Sequence, residues 1–107
     1  MVIFEKKVKK IYCFDIDGTI CKTNKTNYIE AEPILTRINK INSLFNEGHI
    51  IKIFTARGSE TGVDWKLITK KQLSEWGVQY SELIFGKPAA DVYIDDKAIN
   101  DNDFIWY

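Results

Sequence analysis

The chain has 107 residues, and its 15 lysines and arginines balance 15 aspartates and glutamates, so the formal charge is zero. That length suits one domain over residues 1–107 with a single core and no second lobe, and the neutral balance excludes a global field that would gather nucleic acid or an acidic membrane. No apolar run approaches the ~20 residues of a membrane-spanning helix, and Cys13 and Cys21, with no signal peptide or cysteine-dense framework around them, predict a cytoplasmic protein without a disulfide.

Val2-Ile3-Phe4 is a candidate short strand. Glu5-Lys6-Lys7-Val8-Lys9-Lys10 reads as a solvated basic lead-in rather than a phosphate-backbone patch, because no second basic run supports it. Ile11-Tyr12-Cys13-Phe14 is a continuous apolar run that stops at Asp15, the pattern of a strand buried on both faces, with Cys13 as a small buried hydrophobe. From Pro33 to Glu47, Ile34, Leu35, Ile38, Ile41, Leu44 and Phe45 share one helical face; Pro33 suits the first turn and Gly48 the stop. His49 opens the next strand, where it satisfies a hydrogen bond, and Ile50-Ile51-Lys52-Ile53-Phe54 runs up to Thr55. A second helix is predicted from Val63 to Trp76, with Trp65, Ile68, Leu73 and Trp76 facing the core and Gly77 ending it. Leu83-Ile84-Phe85 is a short strand, Gly86-Lys87-Pro88 a turn, and Val92-Tyr93-Ile94 a third buried strand ending at Asp95-Asp96. The tail Phe104-Ile105-Trp106-Tyr107 is apolar enough to pack on its own sheet or in a subunit interface.

Strands alternating with helices imply an α/β fold, a parallel sheet with right-handed crossovers. Asp15, Thr55 and Asp95 each stand at the carboxyl end of an apolar strand, and those ends share the edge where open α/β sheets bind ligands. Asp15-Ile16-Asp17 brings two carboxylates to that edge and Asp95-Asp96 two more. Four carboxylates in one place repel, and a hard cation such as Mg²⁺ is the simplest compensation; the metal then attracts phosphate. Thr55 can donate to a phosphoryl oxygen, Lys87 can offset its charge, and Gly18 permits an unusual backbone conformation beside them. Singly, each piece is bland: Asp-x-Asp-Gly is often a turn or cap, Asp-Asp a cap, and Gly-Lys-Pro a solvated turn. Their joint order at strand ends carries the reading.

That order resembles the haloacid dehalogenase-type phosphatases. Asp15-Ile16-Asp17-Gly18-Thr19 is similar to their first motif and Ile53-Phe54-Thr55-Ala56-Arg57 to the second. Lys87 resembles the third, and Tyr93-Ile94-Asp95-Asp96 the fourth. The string Phe85-Gly86-Lys87-Pro88-Ala89-Ala90-Asp91-Val92-Tyr93-Ile94-Asp95-Asp96-Lys97 also resembles small phosphatases of capsule and surface-polysaccharide synthesis. The resemblance implies a three-layer α/β/α Rossmann-like parallel sheet without a cap domain, and an Mg²⁺-dependent phosphomonoester hydrolase. It implies that Asp15 attacks phosphorus to form an aspartyl-phosphate, and that Asp17 serves as acid and then as base. The implied metal ligands are the Asp15 and Asp95 carboxylates and the Asp17 backbone carbonyl, with Asp96 acting through water or orienting the others. Thr55 and Lys87 are the implied phosphoryl holders; Ala56 and Arg57 extend the substrate side, with a structural ion pair as the other reading of Arg57. Because Lys87 stands so close before Asp95, Lys66 at the start of the helix after Thr55 is the alternative lysine.

The intervals from Thr19 to Pro33 and from Thr55 to Lys87 hold only a flap and one helix with its loop, so the site is expected to be open. Candidates to shield it are the loop Arg57–Gly62, the flap Lys22–Tyr28, and a neighbouring subunit in a homo-oligomer. The expected substrate is a small phosphorylated metabolite such as a sugar phosphate, with no nucleic-acid partner. The alternative is a nucleotidase or nucleic-acid end phosphatase. A phosphoacceptor signalling module is remote, since receiver domains place the acidic pair first and the acceptor aspartate later, the reverse of the order here.

Overall fold

A computed structural model describes residues 8–107, so the candidate strand at 2–4 and the first part of the basic lead-in lie outside the described residues. The elements in chain order are β1 (Ile11–Phe14), β2 (Cys21–Lys22), a 3-10 turn (Tyr28–Glu30), β3 (Glu32–Pro33), α1 (Leu35–Asn46), β4 (Ile50–Thr55), α2 (Lys66–Glu75) and β5 (Glu82–Phe85). The fold is α/β: a parallel sheet in the order β1-β4-β5 with two helices, plus a small antiparallel ribbon of β2 and β3. Phe14 pairs with Ile53 and Thr55 with Phe85, so the carboxyl ends of the three strands finish along one edge.

Both helices stop for the same physical reason. Gly48 and Gly77 take left-handed backbone (φ 94° and 71°) one residue beyond the last helical turn. Gly48 N–H then donates to Phe45 O and His49 N–H to Leu44 O, while Gly77 N–H donates to Ser74 O and Val78 N–H to Leu73 O. These are paired Schellman closures, which satisfy carbonyls that would otherwise be orphaned. The reversal also drops Val78 onto Leu73 in the core. Pro33 does not begin α1 as expected; it pairs with Cys21 in the ribbon, and the helix starts two residues later at Leu35.

The core is one cluster in which Phe14, Ile16, Ile20, Ile38, Ile41, Leu44, Ile51, Ile53 and Leu73 are all buried. Along β4 the burial alternates: Ile51, Ile53 and Thr55 are buried, whereas Lys52 and Phe54 are only half-buried. Ile11 and Cys13 on β1 are exposed. Alternation marks a sheet covered on one face. The expectations of a β1 buried on both faces and of a buried Cys13 are therefore corrected. The tail joins the covered side: Phe104 and Trp106 pack on Phe14 with ring centroids 5.8 Å away, and Arg37 of α1 pairs with Asp101 at 2.7 Å.

The expected third buried strand does not form. Val92, Tyr93 and Ile94 are exposed, Ile94 by 96%, and the segment makes local turns instead. Tyr93 lays its ring 4.4 Å from Lys87 Nζ and donates its hydroxyl to the Pro88 carbonyl, and Lys97 N–H donates to Asp95 Oδ1. A three-residue run gains few ladder hydrogen bonds, and these local contacts prevail over its β-propensity. Ile68 is likewise exposed rather than core-facing; Thr69 and Gln72 take the buried positions on α2.

Candidate active site

After β1 the chain turns over Ile16, which is wholly buried. Flanking a buried residue, Asp15 and Asp17 both project away from the core. Gly18 enables the turn at φ 85°: its N–H donates to Cys21 O, while Thr19 and Ile20 N–H both donate to Ile16 O. The turn brings Thr19 Oγ1 to 3.3 Å from Asp15 Oδ2.

Three strand ends meet here. Lys87, just past β5, is fixed through its backbone, with its N–H donating to Thr55 O at 3.1 Å and its carbonyl accepting from Ser59 Oγ at 2.6 Å. Its ammonium lies 3.3 Å from Asp15 Oδ1. Thr55 is buried, and its hydroxyl oxygen accepts the Arg57 N–H at 3.1 Å, which leaves its own hydrogen to donate. Burial pushes the Asp15 carboxyl above its ordinary pKa, and the neighbouring Lys87 charge only partly opposes this. Lys87 is thus the lysine brought to Asp15; Lys66 is exposed at the start of α2.

Arg57 corrects the expectation of a substrate contact. Its side chain has no exposed surface and is spent on internal partners. Nε donates to Asp17 Oδ2 and Nη2 to Asp17 Oδ1, both at 2.9 Å. Nη1 donates to Thr69 Oγ1 at 3.1 Å and to Gln72 Oε1 at 2.6 Å. The ring of Tyr28 covers the guanidinium at 4.8 Å. This is the ion-pair reading, in the bidentate geometry that suits a carboxylate. Thr23 adds a 2.6 Å hydroxyl bond to Asp17 Oδ1. No local motif marks Thr23, Thr69 or Gln72; the one signal available is two polar residues on an α2 face expected to be apolar.

Asp95 and Asp96 are exposed on the segment that did not become a strand. Among the described residues no group of three or more His, Cys, Asp or Glu side chains could hold a metal ion. Asp15 is engaged by Lys87 and Thr19, and neither Asp95 nor Asp96 joins it in such a group; the implied Asp17 donor, its backbone carbonyl, is left alone. The donor set in this arrangement does not fit Mg²⁺, and no step below runs through a metal. An open cavity of about 270 Å³ lies between the loop after β4 and the end of β5, walled by Gly58, Ser59, Val63, Trp65, Phe85 and Gly86; neither Asp15 nor Lys87 lines it. His49 satisfies a hydrogen bond as expected, its Nδ1 accepting the Lys10 N–H at 3.0 Å.

The chain is similar to a crystal structure of a structural-genomics (MCSG) target from Vibrio cholerae. The two are 29% identical, with a TM-score of 0.79 over 90% of this chain and 86% of that one. No protein-family model and no curated protein matches the chain. No helix among the described residues is long and apolar enough to cross a membrane.

Proposed function

We propose that this chain is a small, capless phosphomonoester hydrolase of the haloacid dehalogenase type, acting on a small phosphorylated metabolite such as a sugar phosphate. The observation that carries the reading is the meeting of Asp15, Thr55 and Lys87 at one sheet edge, with Lys87 Nζ 3.3 Å from Asp15 Oδ1. A carboxylate, a buried hydroxyl and an ammonium from three strand ends form a site for in-line phosphoryl transfer. The Asp15 oxygen attacks phosphorus, while Lys87 and Thr55 hold the non-bridging oxygens. Asp17 exchanges the proton with the departing and then the entering oxygen. The structural neighbour supports the α/β frame; the three-layer arrangement and the surface-polysaccharide setting rest on the motif resemblance.

The test is phosphate release from a panel of sugar phosphates, nucleotides and oligonucleotide ends, with Mg²⁺ and with EDTA, using Asp15→Asn as control. Release from sugar phosphates that is lost in the variant is the expected result, and the EDTA arm decides the Mg²⁺ dependence. A folded protein that releases phosphate from none of them would overturn the reading.

A further inference from the structure

Asp17 is gripped from both ends of the flap that follows β2. At one end the Thr23 hydroxyl donates to Asp17 Oδ1 at 2.6 Å. At the other end the Tyr28 carbonyl accepts from Gln72 Nε2 at 2.6 Å, and the Tyr28 ring lies 4.8 Å from the Arg57 guanidinium carbon. Gln72 Oε1 accepts from Arg57 Nη1, and Arg57 returns to Asp17 through its two 2.9 Å bonds. The circuit is closed: Thr23, Asp17, Arg57, Gln72, Tyr28 and back along the flap backbone. Only one orientation of the Gln72 amide satisfies both neighbours, because the guanidinium can only donate and the carbonyl can only accept.

The acceptor inventory of Asp17 is nearly full. A carboxylate offers about four lone-pair positions, two on each oxygen. Oδ1 accepts from Arg57 Nη2, Thr23 Oγ1 and, weakly, the Cys21 thiol at 3.6 Å, and Oδ2 accepts from Arg57 Nε alone. One position on Oδ2 is left.

We propose that Arg57, Gln72 and Thr23 are positioning residues that confine proton exchange to Asp17 Oδ2 and tie that orientation to the seating of the 23–28 flap; this rests on the acid–base reading of Asp17 above. Oδ2 takes up a proton from water at its remaining position; as the Asp15 oxygen–phosphorus bond forms, the ester phosphorus–oxygen bond breaks, and that proton passes to the departing oxygen to give an alcohol. Water then attacks phosphorus and gives its proton to Oδ2, while the bond from Asp15 to phosphorus breaks. An alkoxide needs that proton in order to leave; p-nitrophenolate departs without it. The flap follows because its two ends hold opposite sides of the pair.

The test uses Thr23→Val and Gln72→Met, which nearly keep volume and leave the Asp17–Arg57 contact in place. Turnover of an alkyl phosphate and of p-nitrophenyl phosphate is measured for each, and backbone amide exchange is followed in parallel. General acid catalysis contributes roughly 10²–10⁴-fold, so each variant is expected to lower kcat for the alkyl ester at least about ten-fold more than for the aryl ester. A merely structural role would lower both alike, and an equal loss overturns the positioning. Amides of residues 24–31 are expected to exchange about ten-fold faster in Gln72→Met and in Asp17→Asn, with the β4 amides unchanged. Unchanged flap exchange overturns the coupling. A wild-type protein inactive on both esters would refute the phosphatase reading, and with it the assignment of Oδ2, while the exchange data still decide whether flap and carboxylate are linked.

Discussion

Arg57→Met removes the guanidinium while keeping an unbranched chain to fill its slot against Tyr28. The Asp17 carboxylate then keeps only Thr23 and a weak Cys21 thiol contact at 3.6 Å, and Thr69 and Gln72 lose their donor. Breaking a buried ion pair by deleting one partner costs about 3–5 kcal/mol. Arg57 is fully enclosed but the Asp17 side chain is 22% exposed, so water relieves part of the stranded charge and the low end, about 3 kcal/mol, is expected. A domain of this size has roughly 5–15 kcal/mol in total, and about 3 kcal/mol lowers Tm by roughly 12–15 °C. Asp17→Asn strands the opposite charge and is expected to cost a similar amount. The double variant leaves neither charge unpaired, so urea titrations of all four proteins are expected to give a coupling of about 2–3 kcal/mol. Additivity within about 0.5 kcal/mol would refute the claim that the pair acts as one unit.

Other expectations concern single positions. Because burial holds the folded Asp15 carboxyl above its ordinary pKa, its protonated form favours folding below the unfolded pKa, and that stability is lost as pH rises through the folded value. In EDTA, Asp15→Asn is expected to raise Tm near neutral pH and to have no advantage near about pH 3.5, below the ordinary carboxylate value; a pH-independent difference would contradict this. Gly58 has φ 81°, and a Cβ there would sit 2.2 Å from the Val63 carbonyl oxygen. Gly58→Ala is therefore expected to cost about 2–5 kcal/mol from left-handed strain and overpacking, whereas Gly62→Ala, with nothing within 4 Å, carries only about 1–2 kcal/mol of strain; equal losses in denaturant titrations would contradict the contact. Cys21 is buried with its thiol pushed up to about 11, so at pH 8 a disulfide reagent is expected to label Cys13 at once and Cys21 only on unfolding.

What the sequence disclosed and what it hid follow from the range of the forces involved. The five main helices and strands are legible because apolar period and glycine stops are local, as at Gly48 and Gly77. The edge shared by Asp15 and Thr55 is legible because neighbouring parallel strands present their carboxyl ends together, but the third strand there is β5, leading into Lys87, and not the one expected to end at Asp95. The partnership of Arg57 with Asp17 depends on packing across 40 positions of sequence, and no local pattern announces it. Thr69 and Gln72 spoil the apolar face of α2 because they serve that buried guanidinium. Val92-Tyr93-Ile94 misleads for the opposite reason: its composition says strand, but a ladder is a property of two segments, and the Tyr93 ring is held over Lys87.

Among the described residues no strand lies outside β1, and its outer N–H and C=O groups run next to the exposed Ile11. Such an edge is a template for growth by a strand from another molecule, and the exposed Val92-Tyr93-Ile94 triplet is apolar and β-prone enough to serve as that strand. Lys9 and Lys10 stand at the entrance of β1 as charged gatekeepers. Their repulsion is screened within ~8 Å at physiological ionic strength and within ~3 Å at 1 M salt. Concentrated salt is therefore expected to weaken that guard, so the strand edge links association of this chain to ionic strength rather than to its chemistry.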